Sequence, residues 1–266
     1  MLTSATGAQT GAAIGAHAFP AIGPIGVVAV RQVVAATVLL LAARPNLRRL
    51  SWQQWWPCLL LGGVFLSMNF TLYTAIDRIG LGLAVTLEFL GPLTVALLSS
   101  RGVREIGLAI LAGIGVYVLI LPGPASDLLG IGLSLLAGAL WATYILTNAV
   151  AGRRLIGLQA PAVGSLISAT MSVPILIWLA LDGRLWGGPL LLAAAAGLLS
   201  SAIPYAADLT ALRFVPKRFF GVFMSVHPVV AALAGLLVLG QLLSLHEWVG
   251  TGIVVFANVL ATLRSR

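Results

Sequence analysis

Charge is what this chain has least of: Asp, Glu, Lys and Arg together make up 8% of its 266 residues, against about a quarter in an ordinary soluble domain. A surface that poor in charge does not suit a water-soluble protein, and the remainder is 60% hydrophobic with a mean hydropathy of +1.07. Cysteine is nearly absent too. The single Cys58 cannot close an internal disulfide, and at the start of an apolar run it reads as inert packing. Metal-ligand spacings, nucleophile motifs and phosphate-binding loops are missing, so no metal or cofactor is expected and a membrane enzyme ranks last among the functions considered. The period-two alternation of a transmembrane barrel is missing as well.

What remains is a succession of apolar runs. A hydrocarbon core about 30 Å thick needs about 20 apolar residues per helical span, and backbone groups in lipid must find their partners within the segment, so the spans should be helices. Breaks at charged or Pro/Gly-rich positions give spans near residues 2–19, 24–43, 57–76, 81–100, 104–121, 129–149, 159–181, 188–208, 218–240 and 247–263. The first is small, polar and short, and lacks the basic start and compact apolar core of a signal peptide. The expected fold is an all-α polytopic membrane protein of ten transmembrane helices.

The net charge of +8 does not point to nucleic acid, because Lys and Arg fall between spans without a basic stripe interleaved with aromatics. With the first span running outwards, twelve of them lie in cytoplasmic loops and tail, among them Arg44, Arg48, Arg49, Arg153 and Arg154. Only Arg78 and Arg184 lie outside, and Arg31 falls within the second span. This excess predicts cytoplasmic termini. The outer side instead collects Asp77, Asp127, Asp182 and Glu247.

Laid on itself with an offset of 136 residues, the chain matches Thr74 to Thr210, Ala75 to Ala211, Pro92 to Pro228, Ala96 to Ala232 and Leu97 to Leu233. The offset superposes the third and fourth spans on the eighth and ninth. Five spans per half force the second half to insert upside down, the inverted-repeat build of many secondary transporters, whose sites lie at the repeat interface near the midplane. The expected division is 1–121 and 122–266.

Glu88 is the most informative residue. It sits in LGLAVTLEFLGPLTVALLSS (81–100), which has no other charge, just ahead of Gly91 and Pro92. A carboxylate at such a depth costs a few kcal/mol and commonly marks transport or proton transfer, the competing reading being a structural ion pair. Arg31, seven residues into the second span, lies at a similar depth, so the two could meet. Pairing would hold the carboxylate ionised, whereas an unpaired Glu88 could load and release a proton. Arg31 reads either as structural or as a receptor for a solute carboxylate. His227 takes the repeat position of Gly91, beside Pro228, where it either bonds a neighbouring helix or titrates in the transport cycle. Asp208 falls near the cytoplasmic end of the eighth span, close to Arg213 and Lys217, and reads equally as an interfacial carboxylate. Asn69, Tyr73, Tyr144 and Tyr205, with Trp141 and Asn148, could line a cavity for a small polar zwitterion, although each alone is commonly packing or helix glue.

The segments MNFTLYTAIDRIGLGLAVTLEFLGPLTVALLSSR (68–101), ALWATYIL (139–146) and SSAIPYAADLTALRFVPKRFFGVFMSVHPVVAAL (200–233) closely resemble the threonine/homoserine exporter branch of the EamA-type drug/metabolite transporters. The resemblance covers nearly the whole chain. It implies two inverted five-helix repeats and export of small amino acids or related metabolites driven by proton entry. It matches Glu88 to the acidic position of the LEFxGP segment, Arg31 to the arginine of the second span and Asp208 to an acidic position after Pro-Tyr. Relatives commonly carry Glu-Pro where this chain has His227 and Pro228, and LGE where it has Leu239, Gly240 and Gln241; the first span also looks clipped. The expected partners are a small polar metabolite, protons and the lipid bilayer, with a homodimer left open. Two other readings stand beside export of an amino acid: efflux of drug-like cations or another metabolite, and a structural or sensory membrane subunit that moves nothing.

Overall fold

Apolar runs in lipid gain nothing from irregular backbone, since every unpaired N–H or C=O there is costly, and the described residues are accordingly mostly helical. The computed structural model describes residues 2–98, 103–121, 127–202 and 225–264. Helices are α1 (Leu2–Ala16), α2 (Phe19–Ala43), α3 (Trp52–Ile79), α4 (Leu81–Glu88), α5 (Leu90–Leu98), α6 (Val103–Ile120), α7 (Leu128–Gly152), α8 (Gln159–Leu181), α9 (Gly187–Gly197), α10 (His227–Leu239) and α11 (Leu245–Arg264). Each of the ten expected spans holds a helix, and no strand occurs among the described residues. Five helices are long and apolar enough by themselves to cross a membrane: α2, α3, α7, α8 and α11.

Local chemistry sets the boundaries. Ser51 and Gln54 form a capping box that starts α3 five residues earlier than the hydropathy break suggests. Asp127 accepts the Gly130 N–H at 2.9 Å and starts α7. In α2, Gly23 (φ 70°) and Pro24 interrupt the helix, so residues 19–22 form a separate turn before the expected start at 24. The fourth span is not the single helix expected over 81–100: it is broken at Phe89 into α4 and α5. After α9, Leu198–Ala202 form a wide π-type turn.

The packing repeats itself between the halves. Helix α2 lies on α8, α6 on α11 and α4 on α10, pairing each of these spans with its counterpart five spans later. Helix α3 packs on α7 as α9 packs on α1, α3 on α8 as α9 on α2, and α4 with α5 on α7 as α10 on α1. Exchanging the halves maps this pairing onto itself, and an odd number of spans per half turns one half over relative to the other. The fold is an all-α polytopic membrane bundle of two five-helix repeats. Ile106, Ile110, Ile114 and Tyr117 form an exposed apolar stripe along α6, which suits contact with lipid.

Polar ties gather at the two ends. At one end Arg78 bonds Asp127, with Nε 3.0 Å from Oδ2. Nearby, Gln241 Oε1 accepts the Leu81 N–H at 2.9 Å, His17 Nε2 donates to the Val238 carbonyl at 3.1 Å and Arg184 Nε to the Ala21 carbonyl at 2.8 Å. At the other end Arg154 donates to the Gln53 carbonyl, and its own carbonyl accepts from Gln54.

Candidate functional site

The break in the fourth span puts Glu88 where it is. Pro92 has no N–H to offer the Glu88 carbonyl four residues back, so the helical ladder lapses there. The gap is kept by a close crossing. A Cβ added to Gly91 would run into the Gly138 carbonyl of α7, and one added to Gly138 would stand 2.8 Å from the Glu88 carbonyl oxygen. Glu88 is therefore the last residue of α4, 5% exposed, at a point where two glycines let α7 cross the broken backbone.

Its side chain lines a cavity of about 160 Å³, comparable to an engineered cavity of about 150 Å³ that admits benzene. Gln9 of α1, Arg31 of α2, Asn69 and Tyr73 of α3 form much of the first half's wall. Trp141 of α7, Ser200 of the π-type turn and His227 of α10 come from the second half. The halves thus close one chamber between them.

Arg31 and Glu88 share this chamber without pairing. The Arg31 Nη1 donates instead to Asn69 Oδ1 at 2.7 Å, and the guanidinium lies over the Tyr73 ring, 5.0 Å from its centroid. Among the described residues the Glu88 carboxyl has no hydrogen-bond or ion-pair partner. A shared depth along two helices therefore did not produce the pairing that the sequence left open: the guanidinium is turned to Asn69 on α3 instead. The Tyr73 hydroxyl is buried with no hydrogen-bond partner among the described residues.

His227 begins α10, within one residue of the repeat position at which α5 begins. Its Nδ1 lies 3.2 Å from Gln9 Nε2. An amide nitrogen can only donate, so Nδ1 accepts and the ring proton sits on Nε2. That atom is buried without a hydrogen-bond partner among the described residues. Phe89, in the break beside Glu88, stacks on His227 with centroids 5.6 Å apart and meets Trp141 edge-on at 4.7 Å. The broken span is thereby wedged between α7 and α10.

Of the residues singled out from the sequence, Glu88, Arg31, His227, Asn69 and Tyr73 come together on this cavity, with Trp141. Tyr144 does not line it and packs on Phe65, ring centroids 5.2 Å apart. Tyr205 and Asp208 lie outside the described residues. Gln9, Phe89 and Ser200 were missed. Gln9 had a signal, an amide inside a span of small residues; Ser200 had none.

Residues 128–263, from α7 into α11, match the EamA-like transporter family. The threonine/homoserine exporter RhtA of Salmonella typhimurium (strain SL1344) is 37% identical over 270 residues, covering 100% of this chain and 91% of the relative. The protein of the same name from Escherichia coli (strain K12) is 36% identical with the same coverage. The chain belongs to the EamA-like transporter family. Membership and the apolar helices together make it a multi-pass membrane protein. A crystal structure at 20% identity covers 100% of this chain and 97% of its own with a TM-score of 0.63, a likeness of fold alone. The family match spans Trp141, Ser200 and His227, the second half's share of the cavity wall.

Proposed function

We propose that this protein exports a small threonine- or homoserine-like amino acid across the cytoplasmic membrane in exchange for protons. The observation that carries the reading is Glu88, a buried carboxyl without a hydrogen-bond or ion-pair partner among the described residues, at a helix break on a chamber walled by both halves. A carboxyl so placed can be offered either to the ammonium group of a solute or to a proton, and competition between the two is what exchange requires. Inverted halves, divided as 1–121 and 122–266, would rock about this chamber to open it alternately to each side. One proton entering for each neutral zwitterion leaving moves one charge, and each charge gains about 2.3 kcal/mol per 100 mV of membrane potential. The relatives named threonine/homoserine exporters support the solute class, and the positive charge of Arg31 in the chamber weighs against drug-like cations.

The test is flux in proteoliposomes. A pH gradient should drive labelled threonine or homoserine through the wild type, and Glu88→Gln should fall to the rate of empty vesicles while still folding. Full gradient-driven flux by Glu88→Gln would remove the proton role. Flux of cations alone would remove the amino acid.

A further inference from the structure

Arg31 is held by groups that do not neutralise it. A guanidinium has five donors in a planar fork, and when buried it commonly meets a carboxylate. Here its only hydrogen-bond partner among the described residues is the Asn69 amide oxygen, and its only ring contact is the Tyr73 face. The Asn69 orientation is not free. Its Nδ2 donates to the Phe65 carbonyl at 2.7 Å, and since a carbonyl can only accept, Oδ1 must be the atom turned towards Arg31. Gln32 Nε2 donates to that same carbonyl at 3.3 Å, tying α2 and α3 together behind the guanidinium. Glu88 lines the same chamber without forming a salt bridge to Arg31.

We infer that Asn69 and Tyr73 are positioning residues that keep Arg31 charged and unpaired, so that its free donors receive the carboxylate of the solute. The inference rests on the export reading for the identity of the solute and adds which group of it is recognised. A carboxylate accepts two parallel N–H bonds from a guanidinium, a geometry neither an ester nor an alcohol reproduces. Asn69 is suited to the task because it supplies an acceptor without a charge. An aspartate in its place would have the same shape and would act as a built-in counterion, competing with the solute for Arg31.

The test is equilibrium binding of labelled threonine to the purified protein in detergent, displaced by unlabelled threonine or by threonine methyl ester. The wild type should favour threonine over the ester by roughly ten- to a hundredfold, the range for hydrogen bonds between charged groups. Asn69→Asp should bring that ratio close to one while the ester keeps its own affinity, which merely damaged packing would not do. Should Asn69→Asp fail to fold, Arg31→Gln should erase the same ratio. A wild type that binds both alike, or an Asn69→Asp variant that keeps the preference, overturns the inference. Binding is read without a gradient: a protein that prefers threonine to its ester yet shows no proton-driven flux overturns the exchange reading alone. One that is proton-driven but indifferent to the ester overturns this one alone. Absence of any threonine or homoserine binding overturns both.

Discussion

Asp127 and Glu88 are carboxylates of one chain in opposite circumstances. Asp127, at the mouth of α7, accepts the Gly130 N–H and faces Arg78. The Gly130 backbone bond first, then the Arg78 guanidinium, holds its carboxyl below the usual range. A group held low in the folded state contributes stability that is fully present above its ordinary value of about 3.9 and is lost as pH falls through the lower folded value. Asp127→Asn should therefore lower the unfolding temperature in detergent slightly at pH 7 and flatten its dependence on pH below about 4; equal acid-side losses in both proteins would contradict the role. Glu88 has no such partner among the described residues and cannot be explained as a local cap. It was legible in the sequence because one charge in twenty apolar residues stands out. The partner of Arg31 was not, because counting residues gives depth along a helix and not the direction a side chain faces.

At the scale of elements, the break between α4 and α5 depends on a contact with another helix. Gly91 and Pro92 mark it in the sequence, but Gly138, forty-odd residues on, makes it tenable by letting α7 approach. Gly91→Ala should cost about 1–3 kcal/mol by overpacking against the α7 backbone, read as a fall in melting temperature in detergent. Gly63→Ala on α3, where an added Cβ meets nothing within 4 Å, should leave it unchanged or slightly raised. Equal effects would show that the crossing is not tight. Helix α4 is bounded by Gly80 (φ 83°) at one end and the break at the other. Gln241 accepts the Leu81 N–H in a slot that a Cβ on Gly235 would narrow to 2.9 Å from its Oε1.

Across the whole molecule, the polar ties at the two ends agree with the loop charges. The end carrying Arg78, Asp127, Arg184 and Gln241 is the one whose loops hold few basic residues, and the end carrying Arg154 and Gln53 is the basic one. On the positive-inside rule we propose that the second end, with both termini, faces the cytoplasm. With Cys58 replaced by serine, Asp182→Cys should react with a membrane-impermeant thiol reagent in intact cells, and Arg48→Cys only after permeabilisation. The opposite pattern would turn the molecule over.

Hydropathy and charge placement are properties of short stretches of chain, and they alone determined the membrane, the helices, the ten spans, the basic face and the exceptional carboxylate. Even the repeat showed in five matched residues. Which side chains meet depended on the rotation of each helix about its axis and on where helices from the two halves cross. That is why only the tertiary structure could place Gln9 against His227, wedge Phe89 between α7 and α10, and give Arg31 to a neutral amide while Glu88 stands unpaired on the same chamber.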